Sequence, residues 1–192
     1  TLRATLDWSF DLLSEPERVL LRRLSVFSGG FMLGAAERVC GEGMKPGEVL
    51  DVLGHMVDKS LVIAESDSGL GITRYHLLET IRQYALERLI EAGEAAALRD
   101  AHLMYFLDLA EEAEPNNFGS ASRFWFRRLE LELENLRAAM EWATNSGGAQ
   151  LALRMAGSLV YFWFAHGLVG SEWDERVHQA LSMPEGMQRT SA

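Results

Sequence analysis

One cysteine in 192 residues, Cys40, leaves no partner for an internal disulfide and points to a reducing, cytoplasmic setting. It closes a short apolar helical stretch with no base beside it, so it reads as a small buried hydrophobe rather than a nucleophile. No apolar run reaches the length of a membrane span, and the first residues show no signal-peptide pattern, so no membrane association is expected. The chain starts inside an amphipathic pattern and closes on a polar tail, as expected of a segment of a longer protein.

GxxxxGK[ST] is also missing, so the segment is not expected to cradle a nucleoside triphosphate unaided. So are His-Glu-x-x-His and paired cysteines. The five histidines (His55, His76, His102, His166 and His178) are scattered. No metal, catalytic residue or enzymatic activity is expected, and no cofactor within the segment. No region is basic. Residues 1–60 carry 7 Lys/Arg against 9 Asp/Glu, 61–93 carry 3 against 5, and 94–192 carry 8 against 14, for a net charge of −10. DNA affinity rests on cations against phosphates, so this balance argues against a nucleic-acid partner.

Helical spacing dominates what is present. Leu2, Leu6, Phe10 and Leu13 mark a first helix. Ser14-Glu15-Pro16-Glu17 reads as a helix start, with Ser14 as N-cap and Glu17 completing a capping box, and that helix is expected to reach Phe27 before Gly29-Gly30. Further helices are expected over Leu33 to Cys40 and from Pro46 to about Lys59. Leu61 to Ala64, a turn over Ser66 to Gly71, and Ile72 to Leu77 then form a β-hairpin. After it come a helix ending at Gly93, one over Ala95 to Ala113 and one long helix over Ser122 to Asn145. A helix through Leu151 to Trp163 closes at Gly167, and a last one is capped by Ser171.

The three helices from Ser14, Leu33 and Pro46, followed by a hairpin, give the order of a winged helix-turn-helix, with the third of them in the recognition position. That helix offers Glu48, Asp51 and Asp58 against Lys59, the wrong sign for phosphates. The expected architecture is mainly α: a winged helix-turn-helix domain with one β-hairpin over 1–92, then an antiparallel, tetratricopeptide-like helical array over 93–192. Glu130, Glu132 and Glu134 are expected on a solvated helix face. Tyr161-Phe162-Trp163-Phe164, with Trp173, is expected to pack in the core; aromatics left exposed would form a ligand groove or drive self-association.

Four blocks resemble one known family: LDWSFDLLSEPERVLLRRLSVFSGGF (6–31), LGHMVDKSLV (53–62), YHLLETIRQYALERL (75–89) and ELENLRAAMEWA (132–143). They resemble the region after the nucleotide-binding (NB-ARC-like) domain in bacterial STAND-class signal-transduction ATPases, often described as LuxR-family or AfsR-like transcriptional regulators. The resemblance implies a winged helix that packs on an upstream nucleotide-binding domain holding ATP or ADP. It implies a helical array that receives a protein or small-molecule signal. Relatives among animal and plant death and immune receptors carry a Met-His-Asp motif at the start of the helix after the hairpin. Aligned on Ile81-Arg82, those positions fall on Leu77, Leu78 and Glu79, so the histidine is replaced by Leu78. The resemblance therefore implies a hinge beside a nucleotide site, with Leu78, Glu79 and Arg82 in the interdomain contact and His76 the candidate nearest the nucleotide. Arg82 can equally pair with Glu79 three residues earlier. The expected function is non-catalytic regulation; the alternative is a DNA-binding winged helix with a dimerising helical tail.

Overall fold

The computed structural model of the chain describes residues 2–67, 71–165 and 172–182, in two compact units, Thr1–Ala101 and His102–Ala192. The first unit runs α1 (Leu2–Asp11), α2 (Glu15–Leu24), β1 (Phe31–Met32), α3 (Leu33–Cys40), α4 (Glu48–Asp58), β2 (Ile63–Asp67), β3 (Ile72–His76) and α5 (Glu79–Glu91). α6 (Ala95–Ala113) begins in this unit, and the division falls inside it. The second unit continues with a 3-10 turn over Glu114–Asn116, α7 (Ser122–Leu131), α8 (Leu133–Asn145), α9 (Ala149–Ala165) and α10 (Glu172–Leu181). The expected turn tip at Ser68 to Leu70, the stop at Gly167, the cap at Ser171 and the side chain of Trp173 lie outside the described residues.

α2 starts where its sequence says it should. The Ser14 backbone N–H donates to Glu17 Oε2 at 2.8 Å and the Ser14 hydroxyl to the same oxygen at 2.9 Å, while Pro16 occupies a first-turn position that needs no N–H. Glu17 is buried, and Lys59 Nζ at the end of α4 donates to its Oε1 at 2.6 Å. Burial alone would raise this carboxyl's pKa, yet the bonds from Lys59 and Ser14 outweigh it and hold the group below its usual range. The cap thus also ties α2 to α4. Glu17→Ala is expected to cost about 1–2 kcal/mol in urea unfolding; a loss near zero would show that the cap and tie contribute nothing.

α2 ends at Leu24, three residues before the expected Phe27. The amides of Ser25, Val26 and Phe27 bond back to Arg22, Arg23 and Leu24, tightening the exit into three-residue turns. Leu20, Leu21 and Leu24 are buried and pack α2 chiefly on α5, with α3 and α4 beside it. Each such fully buried leucine contributes on the order of 1.5–3 kcal/mol. Tyr84 of α5 donates its hydroxyl to Asp7 Oδ1 of α1 at 2.8 Å, and burial first, then Asp7, pushes its pKa up to about 12. Cys40 is fully buried, which pushes its thiol up and suppresses the thiolate.

The hairpin is present, with two departures. Its first strand is β2, Ile63–Asp67, two residues later than the apolar run suggested. Leu61 and Val62 are still leaving α4, their amides both bonded to Met56 O, and Ser60 turns at φ 58. β1 then adds a third strand, giving an antiparallel sheet of order β1-β3-β2 with Phe31 opposite Tyr75 and Ile63 opposite His76. Two residues are too few to show a period of two, so β1 leaves no trace in the sequence pattern.

In the second unit the expected single helix over Ser122 to Asn145 breaks at Glu132, which ends α7 and precedes α8. The expectation of a solvated face fails there too. Glu132 is buried, and its Oε2 accepts from Asn135 Nδ2 at 2.8 Å; Asn135 Oδ1 lies 3.3 Å from His102 Nε2. Glu130 and Glu134 are exposed, as expected. A carboxyl drawn inward to a buried amide explains the break better than any local breaker residue. Around this chain Phe106, Leu129, Leu136, Met140, Met155 and Phe162 are fully buried, and α8, α9 and α10 pack on one another.

Candidate interaction edge

Three of the residues singled out in the sequence, His76, Glu79 and Arg82, converge on one open depression of about 370 Å³ in the first unit. Its floor is Leu24, Phe27 and Phe31; its rim is Gly29, Gly30, Glu65, His76, Leu77, Glu79 and Arg82. The floor is held by ring stacking: Phe27 to Phe31 at 4.8 Å and Phe31 to Tyr75 at 6.0 Å. Gly30 permits the turn into β1. Its φ is +101°, and a Cβ there would sit 3.0 Å from the Tyr75 carbonyl oxygen.

His76 closes β3 and is partly exposed. Its Nε2 is 4.0 Å from Glu65 Oε1, the diagonal neighbour across the hairpin. Glu79 opens α5 and Arg82 sits one turn on. Arg82 Nε and Nη2 donate to the two oxygens of Glu79, both at 2.8 Å, and Nη1 donates to the Ser25 carbonyl at 3.3 Å. Gln83 adds a 2.9 Å bond to Glu79. The Arg82 fork holds the Glu79 carboxyl below its usual range. Leu78 is the residue preceding α5, 49% exposed, and it does not line the depression.

Three of the four residues named from sequence, His76, Glu79 and Arg82, therefore share one rim, and Leu78 projects beside it. The sequence reading missed Glu65, the Gly29-Gly30 turn and the aromatic floor. A Gly-Gly pair set between two phenylalanines was the available signal. As a phosphate site the rim does not fit: its one arginine is committed to Glu79, and Glu65 and Glu79 add two carboxylates. Among the described residues no group of three or more His, Cys, Asp or Glu could hold a metal ion, and no helix is long and apolar enough to cross a membrane.

α4 occupies the third-helix position. Val49, Val52, Leu53 and Met56 are buried, and Leu50, Asp51, Gly54, His55 and Asp58 face outward. Glu48 turns back to the Lys45 amide at 2.8 Å, and Lys59 is held by Glu17. Residues 13–90 match the family described as a winged helix-turn-helix domain. The first unit carries a winged helix-turn-helix. In it α2, α3 and α4 are the three helices, β1 the short first strand, and β2–β3 the wing.

Nearly the whole chain has named relatives. It is 44% identical over 188 residues to proteins of Mycobacterium tuberculosis and Mycobacterium bovis, each named "Putative HTH-type transcriptional regulator". The match covers 93% of this chain but 21% of theirs, so the chain spans about a fifth of the relatives' length. A second Mycobacterium tuberculosis protein, named as uncharacterized, is 47% identical over 100 residues, covering 51% of this chain and 25% of that protein. No solved structure matches. The chain is thus homologous to proteins named as HTH-type regulators.

Proposed function

We propose that this winged helix-turn-helix is a non-catalytic packing module of a larger signal-transduction ATPase and transcriptional regulator, seated on a nucleotide-binding domain that precedes it in the full protein. The helical unit receives a signal and passes it on by rigid-body movement. The observation that carries this reading is the outward face of α4. A helix that reads the major groove presents Arg, Lys, Asn or Gln to base edges; α4 presents Asp51, Asp58, Leu50, Gly54 and His55. Leu78 then serves as an apolar anchor against the preceding domain, and the Glu79–Arg82 pair and His76 as its polar border. The nucleotide belongs to that domain, and this edge is the hinge beside it.

The competing reading, sequence-specific DNA binding by the winged helix with a dimerising helical tail, is favoured by the names of the relatives. Anisotropy titrations with duplex DNA separate the two. The packing reading expects no binding tighter than the non-specific range of about 10⁻⁴–10⁻⁶ M. Tighter binding that weakens steeply with salt would overturn it. With the preceding domain supplied as a separate protein, Leu78→Asp together with Arg82→Glu is expected to weaken association about tenfold or more. An unchanged affinity would remove the edge from the contact.

A further inference from the structure

The chain is acidic throughout when counted by domain, yet α7 is not. Its ten residues, SRFWFRRLEL, hold three arginines and one glutamate, and no acidic residue occurs from Phe118 to Arg128. The three arginines have different fates. Arg128 lies 5.8 Å over the Trp125 ring, half-buried, with its Nε buried and unpartnered, so packing holds it in place. Arg127 is exposed and reaches Glu130 at 3.5 Å, a surface pair of little strength that an incoming carboxylate can displace. Arg123 is exposed and has no ion pair among the described residues. Between them stands Phe124, 45% exposed and edge-on to Trp125 at 5.7 Å. Position 127 lies one turn on from both 123 and 124, so the three side chains fall within one broad helix face.

We propose that this face of α7 docks an acidic peptide segment, its carboxylates on Arg123 and Arg127 and an apolar side chain on Phe124. The inference gives a chemistry to the signal assigned above to the helical unit. It rests on that part of the reading alone, not on docking to a nucleotide-binding domain. Charge complementarity selects the partner. Arginine offers a planar, weakly hydrated fork that matches a carboxylate, and an exposed ring beside it fits a hydrophobic anchor. The surroundings limit the partner's size. Glu111, Glu112 and Glu114 precede this segment, Glu130 and Glu134 follow, and Glu111 is already paired with Arg154 at 2.7 Å. A nucleic-acid strand or an anionic bilayer carries charge well beyond the span of two arginines, and the sequence on either side of them is acidic. A short peptide touches the patch and stops.

Anisotropy of a fluorescein-labelled peptide rich in Glu and Leu, titrated with the intact 192-residue chain, tests this. Saturable binding that weakens with added salt is expected. Arg123→Glu with Arg127→Glu should lower the affinity about tenfold or more and should confer binding to the same peptide with Lys in place of Glu. Phe124→Ala should weaken binding about threefold or more without changing its salt dependence. All three side chains are exposed, so the variants should keep the parent circular dichroism and melting curve; Arg123→Gln with Arg127→Gln repeats the test with less perturbation. No binding, or binding indifferent to both arginine variants, overturns the proposal. So does tighter arginine-dependent binding of oligothymidylate or phosphatidylserine vesicles.

Discussion

Phe31→Ala is expected to cost the first unit about 3–5 kcal/mol, the range for emptying a fully buried aromatic site. Phe31 is 1% exposed, sits in a two-residue strand, and is stacked between Phe27 at 4.8 Å and Tyr75 at 6.0 Å. Removing the ring leaves a void under the wing and takes away the contact that clamps β1 to β3, where Phe31 faces Tyr75 in register. Urea unfolding read by circular dichroism would show a lowered midpoint, and hydrogen exchange would show β3 amides losing protection before those of α2. Phe118→Ala, at a ring 70% exposed, is the control and should change stability by less than about 1 kcal/mol. A Phe31 variant as mild as that control would mean the sheet is held by its ladder alone.

Acid should weaken the second unit through His102. This imidazole is buried against Phe106, 4.6 Å between ring centres, and burial pulls its pKa down to about 4 although Asn135 pulls the other way. The unfolded chain takes up its proton near 6.5. Between those values the unfolded state binds more protons than the folded one, so stability falls as pH drops from about 6.5 to about 4 and is fully present above that window. The loss should approach about 3 kcal/mol at pH 4. The Glu17 and Glu79 carboxyls, and Glu94 held by the Arg22 and Arg23 guanidiniums at 3.1–3.4 Å, all lie below their usual range and add acid sensitivity at the bottom of the same range. Comparison with His102→Gln removes that shared part: the difference between the two proteins should shrink as pH falls from 7 to 4. A difference constant across that range would exclude His102 as the titrating group.

Legibility in the sequence followed the range of the interaction concerned. α3 and α6 fall where Gly29-Gly30, Gly93 and Pro115 bracket them, because a helix is punctuated by residues next to its ends. The Ser14–Glu17 cap and the Glu79–Arg82 pair were visible for the same reason: both join residues three apart. What stayed hidden depends on distant partners. The break at Glu132 needs an inward carboxyl beside Asn135 and His102, and a helical stripe gives no hint that one acid of three turns in. β1 exists only because residues more than 40 positions later lie beside it. Glu65 reached the rim through a hairpin register two residues later than the apolar run implied. The rim could therefore be named in part, but its floor could not. The basic character of α7 was lost by counting charge over blocks far longer than the helix that carries it.

Among the described residues the strand order β1-β3-β2 leaves the five-residue β2 as an edge, with the backbone groups of alternate residues pointing away from the sheet. Such an edge is a template on which a second molecule can grow a sheet. β2 reads Ile-Ala-Glu-Ser-Asp, and two molecules zipped edge to edge through it would bring the exposed Glu65 of each towards the same charge on the other. Repulsion across such a seam is built into the wing. In a chain with exposed Phe118, Val160 and Phe164 elsewhere, this carboxylate guards the longer sheet edge, where association could propagate as a fibre rather than stop at a pair.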